Sequence, residues 1–255
     1  MEMVRLAAAS GADFIKFQSF SSEDLSDQVD ESTRAWIQRV ELSEEDHYRL
    51  YAEAAARGIT FLSTAVNVRW ANFLHEMGCP ALKLASLSLL NRPLLEFAGT
   101  HFDEVFLSTG MGEIGEIDSA LKTLGPKPQV TVLHCVSEYP LPDAHASLLS
   151  IPYVRERFAR PTGYSDHTIG TAACIAAVAL GAVVIEKHFT LDKTLEGTDH
   201  ILSADPVELA EICHTSRRVG LMLGDATKAP NDAELANRDM MRGLFVEGAL
   251  PPESL

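Results

Sequence analysis

The sequence predicts an α/β fold of the TIM-type (β/α)8 barrel class, and three observations carry that expectation. Short β-branched and aliphatic runs of strand length recur at 14–17, 59–63, 81–85, 104–107, 130–134, 162–164 and 182–186. Helical patterns fall between them at 46–57, 71–77, 94–98, 114–124 and 171–180, with a last one near 207–223. Such alternation builds a parallel sheet, because each parallel connection needs a crossover. Polar side chains then gather at the strand ends: Lys16 and Gln18, Ser63 and Thr64, Lys83 and Ser86, Ser108 and Thr109, His134 to Tyr139, Ser165 to His167, and Lys187 and His188. A barrel spreads its site around one rim in this way. A doubly wound sheet gathers its site at one crevice beside a glycine-rich first turn, and the chain reads as carrying no GxGxxG or GxxxxGK(S/T).

In chain order, Met1-Glu2-Met3-Val4-Arg5 opens directly into an Ala-rich helical pattern. In a closed barrel that helix follows strand one, so seven strands are expected here, with strand one upstream of Met1. Gly11, Gly58, Gly78 and Gly181 each stand where a helix must end in a left-handed residue before the next strand. Residues 19–43 break the period, being acidic and poor in aliphatics, and read as a long rim loop with a short helix. Ser43 to Asp46 forms a capping-box pattern, and Asp205-Pro206-Val207-Glu208 sets a cap residue before a proline at the first helical position. Beyond Gly224 the pattern turns polar and irregular, through Pro251-Pro252. The expected organisation is a barrel over 1–224 and an extension over 225–255.

With 255 residues, 46% of them apolar, the chain is long enough to bury one large core. A net charge of −15 argues against nucleic acid or an anionic membrane as partner, since both select for clustered Lys and Arg. Cys79, Cys135, Cys174 and Cys213 show no CxxC pair, which points to reduced thiols in a cytoplasmic protein. The longest apolar run, 172–185, is broken at Gly181 and falls short of the ~20 residues a membrane helix needs.

His167 and His188 follow the last two strands, which are neighbours in a barrel, so both imidazoles face one mouth. Imidazole suits a first-row divalent metal, and two protein nitrogens leave positions for substrate oxygen and water. Lys16 and Lys83 each place a cation directly after an apolar strand of an acidic chain, which an anionic substrate explains. Thr64, Ser86, Ser108, Ser137 and Ser165 stand at matching depths, where hydroxyls donate to phosphate or carboxylate oxygens beside lysine point charges. Singly, each is a common turn residue. Asp199, in Gly197-Thr198-Asp199-His200, is a candidate for sugar hydroxyls or for base chemistry. Tyr139 offers a phenol on a rim loop, while Met111, Phe20 and Trp70 read as packing.

Longer strings then resemble the sialic acid synthase family. They include Gly11-Ala12-Asp13-Phe14-Ile15-Lys16-Phe17-Gln18, Phe61-Leu62-Ser63-Thr64, Lys83-Leu84-Ala85-Ser86, and Leu133-His134-Cys135-Val136-Ser137-Glu138-Tyr139-Pro140. Gly163-Tyr164-Ser165-Asp166-His167-Thr168, Glu186-Lys187-His188-Phe189-Thr190 and Gly197-Thr198-Asp199-His200 follow in family order. The resemblance implies an aldol-like condensation of phosphoenolpyruvate with an N-acylated amino-sugar aldehyde, N-acetylmannosamine or a related hexose, giving a sialic-acid-like nonulosonate and phosphate. By the same resemblance, His167 and His188 are the ligands of a divalent metal, Mn2+ or Mg2+, and Asp199 joins them as a catalytic group. Lys16 and Thr64 hold the phosphoenolpyruvate carboxylate, while Lys83, Ser86, Ser108, Ser137 and Ser165 cradle the phosphate. Gln18, Tyr139 and Asp199 contact the sugar. A homodimer is also implied.

The chain departs from the family pattern at three points. The strand-one glutamate and the small C-terminal antifreeze-like domain lie outside it, Ser137 stands where some relatives have Asn, and Ser88 stands where an acidic residue is usual. Two other readings remain: a related phosphoenolpyruvate-dependent aldol synthase, and a barrel without activity that serves as a binding module.

Overall fold

A computed structural model describes residues 1–24 and 29–243. Residues 1–222 form one compact unit and a second begins at Leu223. Seven strands form one parallel sheet in chain order: β1 (Phe14–Ser19), β2 (Thr60–Ala65), β3 (Leu82–Leu84), β4 (Glu104–Ser108), β5 (Gln129–Cys135), β6 (Thr162–Asp166) and β7 (Ile185–Lys187). Around it lie α1 (Glu2–Ala9), α2 (Glu31–Val40), α3 (Glu44–Arg57), α4 (Val68–Glu76), α5 (Arg92–His101), α6 (Ile114–Leu124), α7 (Ser150–Phe158), α8 (Ala172–Ala179) and α9 (Pro206–Leu223). The tail carries the single turn α10 (Asp232–Leu235). All seven expected strands are present, in a sheet curled as a TIM-type barrel.

The local chemistry explains several boundaries. Ser43 Oγ accepts from the Asp46 amide while Asp46 returns a bond to the Ser43 amide, so α3 starts on the expected box. Asp205 Oδ1 accepts from the Val207 and Glu208 amides around Pro206 at the start of α9. Gly58, at φ 69°, ends α3 in the left-handed region. The helix expected within residues 19–43 spans ten residues, with Asp30 as its cap and no buried side chain. Residues 25–28 of that acidic segment, and Pro251-Pro252, lie outside the described residues. α7 has no counterpart among the sequence-read helices, because Pro152 stands in its first turn and only Ile151 and Val154 are buried.

Strand pleating sorts each rim residue inward or outward, since successive side chains point to opposite faces. Leu62, Ala81, Phe106 and Leu133 form an apolar floor inside the curl, with Val184 against it and Phe14 edge-on to Phe106. Gly163 keeps this floor tight, because a Cβ there would stand 2.6 Å from both Leu133 Cδ2 and the Val184 carbonyl oxygen. The larger core, including Val105, Leu107, Val130 and Val132, packs the outer strand faces on α3 to α6.

This sorting corrects three expectations. Ser63, His134 and Lys187 stand at strand ends but face the helices. Ser63 bonds Ser19, His134 bonds the Ala146 carbonyl, and Lys187 pairs with Asp166. Met111 is not packing: it is 68% exposed, with φ of 64° in the turn after β4. Trp70 does pack, at 3% exposed, with its indole nitrogen donating to Asp24.

Strands β1 and β7 are the two edges of the sheet. Side chains cross between their neighbourhoods. Ser10 Oγ donates to the Pro206 carbonyl, Arg217 of α9 donates to Gly11 O and Asp13 Oδ1, and Phe189 and Leu209 pack on the main core.

Candidate active site

One step above the apolar floor, the inward positions turn polar. Lys16 (β1), Thr64 (β2), Lys83 (β3), Ser108 (β4), Cys135 (β5), Ser165 (β6) and Glu186 (β7) make one layer, and the ladder registers place Thr64 opposite Lys83, Cys135 opposite Ser165, and Ser165 opposite Glu186. Lys16 Nζ donates to Thr64 Oγ1 at 3.3 Å, and Lys83 Nζ to Ser108 Oγ at 2.7 Å and Leu84 O at 2.9 Å. Lys83 is only 3% exposed, and burial pulls its pKa below the usual lysine range although Glu186 opposes this.

Glu186 has one carboxylate oxygen 3.4 Å from Lys16 Nζ and the other 3.5 Å from Lys83 Nζ. Burial works against its charge, but the two lysines prevail and hold its pKa at about 2. Sequence reading gave Glu186 no role. Its signal was available, since a carboxylate ends the apolar run Val183-Val184-Ile185, and a two-residue period puts it on the face of His188.

Above Lys83 and Ser108, Ser86 Oγ accepts from the Gly110 amide at 2.9 Å and lies 3.6 Å from Cys135 Sγ. A Cβ on Gly110 would meet Ser137 Oγ at 2.4 Å and Ser86 Oγ at 2.8 Å, so only glycine lets the two hydroxyls flank this turn. Gly110-Met111-Gly112-Glu113-Ile114-Gly115 in fact has the GxGxxG spacing, after the fourth strand. Side chains account for it: Gly110 makes room for the serines, and Gly112 for Leu89, whose Cδ2 would stand 2.2 Å from a Cβ. Burial raises the Cys135 thiol, partly offset by Ser86 and Ser165. Ser86, Ser108, Ser137 and Ser165 thus line one side of the mouth, and Lys16 and Thr64 the other.

His167 and His188 crown the same mouth, with ring centroids 5.3 Å apart. His167 Nδ1 lies 2.7 Å from the Val136 carbonyl, which can only accept, so the ring proton sits on Nδ1 and Nε2 presents a lone pair. Burial lowers the His167 pKa, and burial with the Lys16 and His167 charges takes His188 to about 4, so both rings are neutral near neutrality. Tyr139 lies over His167 at 4.0 Å between centroids, its phenol pushed up to about 12 mainly by burial. Asp199 Oδ2 is 3.7 Å from His188 Nδ1. Gln18 is exposed on β1, two residues beyond Lys16 on the same face. Every sequence-predicted site residue therefore borders this mouth.

Behind the histidines, Asp166 and Lys187 form a buried ion pair at 2.7 Å, and Lys187 also donates to Thr168 O. Asp166 accepts further bonds from Tyr164 Oη, Thr168 N and Thr168 Oγ1. The pair ties the ends of β6 and β7 together next to both imidazoles. Among the described residues no set of three or more His, Cys, Asp and Glu side chains is grouped to hold a metal. The donor chemistry does fit two positions of an open coordination sphere: two neutral imidazoles, one with its tautomer fixed by a carbonyl.

No helix among the described residues is long and apolar enough to cross a membrane. The chain is 38% identical to the N,N'-diacetyllegionaminic acid synthase of Campylobacter jejuni, over 96% of this chain and 78% of that one. It is 33% identical to the human N-acetylneuraminate-9-phosphate synthase, over 98% and 74%. The crystal structure of N-acetylneuraminic acid (sialic acid) synthetase from Leptospira borgpetersenii superposes with a TM-score of 0.89 at 33% identity, over 94% of this chain and 84% of that one. A truncated 3-deoxy-D-arabino-heptulosonate 7-phosphate synthase from Thermotoga maritima, 15% identical with a TM-score of 0.68 over 88% and 81%, shares the fold. The NeuB family model matches residues 3–228, and the chain belongs to that family of nonulosonic acid synthases.

Proposed function

We propose that this chain condenses phosphoenolpyruvate with an N-acylated amino-sugar aldehyde to a nonulosonate, releasing phosphate. The observation that carries the reading is the pairing of two half-buried or buried lysines, Lys16 and Lys83, with the imidazoles of His167 and His188 in one barrel mouth. Lys16 and Thr64 take the carboxylate of phosphoenolpyruvate. Lys83 with Ser86, Ser108, Ser137 and Ser165 takes the phosphate, each hydroxyl donating to an oxygen. Gln18, Tyr139 and Asp199 orient the sugar, and Asp199 also holds the His188 ring through Nδ1. His167 and His188 hold Mn2+ or Mg2+, which when bound supplies Lewis-acid polarisation of the aldehyde. The protein's own share is orientation and fixed charge, which cost no reorganisation during reaction.

Phosphate release from phosphoenolpyruvate with Mn2+ tests the proposal, using N-acetylmannosamine, its 6-phosphate and a diacetamido-hexose as acceptors. Acceptor-dependent release, with one acceptor clearly preferred, is expected. No release with any of the three overturns it.

A further inference from the structure

Glu186 is the wrong charge for a site that binds an anion: it cancels one of the two lysine charges in the cradle and so weakens ground-state binding of phosphoenolpyruvate. Its setting is also incomplete. Asp166, one strand away, is saturated by a lysine, two hydroxyls and an amide, as a structural carboxylate should be. Glu186 Oε2 is buried and has no hydrogen-bond partner, with Lys83 Nζ 3.5 Å away and committed to Ser108 and Leu84. A desolvated carboxylate oxygen left unsatisfied is costly, and an interaction that lowers substrate affinity aids an enzyme only if it is stronger in the transition state.

The geometry supplies that use. Phosphoenolpyruvate carries its carboxylate on C2 as a substituent and its phosphate ester on the same C2. Where Lys16 holds the first and Lys83 the second, as in the function proposed above, on which this inference rests, a group touching both lysines faces C2. We propose that Glu186 is a catalytic residue whose carboxylate stabilises the positive charge developing at C2 when C3 attacks the sugar aldehyde. In that step the C2–C3 π pair forms the new bond to the aldehyde carbon, and the aldehyde π pair moves onto its oxygen. C2 is left cationic, sharing its charge with the ester oxygen. Water then adds to C2 through its oxygen pair and gives one proton to the new alkoxide. The C2 hydroxyl so formed becomes the ketone as the bond from C2 to the ester oxygen breaks, its pair leaving on phosphate, which takes up the second proton. Phosphoenolpyruvate, aldehyde and water thus become the 2-keto acid and phosphate. Glu186 makes no bond and takes no proton. It acts through a charge fixed before the reaction begins.

The consequence is a split that a merely supporting role does not produce. Glu186→Gln keeps the shape and raises the cradle's net charge by one, so phosphoenolpyruvate, titrated calorimetrically, binds as tightly as to wild type or tighter. Turnover with the preferred acceptor and Mn2+ falls about 100-fold or more, the scale of losing one preorganised electrostatic contact. Glu186→Asp, which keeps the charge, remains clearly faster than Glu186→Gln. A Gln variant with kcat within threefold of wild type overturns the proposal. So does one whose phosphoenolpyruvate affinity drops tenfold, which would make Glu186 only a holder of the lysines, or an Asp variant no faster than Gln. Wild-type protein silent with every acceptor instead removes the underlying function, whereas wild-type turnover with an unimpaired Gln variant removes the role of Glu186 alone.

Discussion

The two histidines at the mouth are held differently. His167 is locked, its Nδ1 proton committed to the Val136 carbonyl, whereas among the described residues the His188 ring makes no hydrogen bond, has Asp199 Oδ2 at 3.7 Å, and is 28% exposed. Neither contributes to the apolar clusters that make the core. His188→Ala therefore leaves the fold intact, because a rim imidazole outside the apolar clusters is not core packing. Mn2+ affinity, read by calorimetry or electron paramagnetic resonance, falls by more than about 100-fold, since losing an outer-shell partner alone typically costs 10–100-fold. Unchanged Mn2+ affinity would remove His188 as a ligand. At this scale Lys16 and Lys83 were legible in the sequence because each is an improbable cation after apolar residues, and the histidines because they follow the last two strands, which are neighbours in a barrel. Glu186 was not, because a glutamate closing a strand reads as its solvated boundary until pleating assigns it a face. Gly110 was passed over for a related reason: its need for glycine comes from Ser86 and Ser137, which are distant in sequence.

The ends of β6 and β7 act as one element, because Asp166 and Lys187 flank the histidines and bury their charges against each other. Burial would raise the Asp166 pKa, but Lys187 and the hydrogen bonds around it hold it below the usual carboxylate range. Lys187→Met leaves a fully buried carboxylate with Tyr164, Thr168 and the Cys174 thiol as its donors among the described residues, an unpaired charge whose cost is about 3–5 kcal/mol. The double variant Asp166→Asn/Lys187→Met removes both charges while the amide still accepts from Thr168, so it recovers part of that loss. Urea unfolding checks both, and a double variant less stable than Lys187→Met would show that the pair is not an isolated charge couple. Element order was the most readable part of the sequence, since seven apolar runs and the caps at Ser43 and Asp205 mark it locally. Element bounds were less so: the run at 182–186 becomes β7 at Ile185–Lys187, because strand ends are set by pairing with β6. α7 escaped notice because its contacts are with β5 and β6, which its own short and Arg-rich sequence does not reveal.

Across the whole molecule, the buried histidines away from the mouth set how stability depends on pH. His47 is completely buried among Phe61, Trp70 and Phe73, with Nδ1 donating to the Ser43 carbonyl and Nε2 accepting from Ser19 Oγ. His134 is buried against Tyr164 and bonds the Ala146 carbonyl. Burial lowers both pKa values from the ordinary 6.5, more than the hydrogen bonds raise them. Above pH 6.5 neither state protonates these rings and their full contribution is present. Below it the unfolded chain takes up protons that the folded chain refuses, so stability falls as pH drops from 6.5 towards the folded values, by up to about 1.4 kcal/mol per pH unit for each histidine. Asp166 and Glu186 run the same way at lower pH. Their folded values lie below the ordinary 3.8 and 4.5, so their stabilisation is present above that range and lost beneath it. Relief of self-repulsion in a chain of charge −15 opposes the loss, but it is spread over many exposed carboxylates and is shared by any variant that leaves them alone. His47→Phe isolates one ring, because phenylalanine suits the surrounding aromatics and Ser19 still has Ser63 as a partner. Unfolding free energies measured by urea from pH 8 to 5 should fall less steeply in this variant than in wild type, the difference approaching one histidine's share. Parallel curves would mean that the folded chain protonates His47 at the same pH as the unfolded chain does.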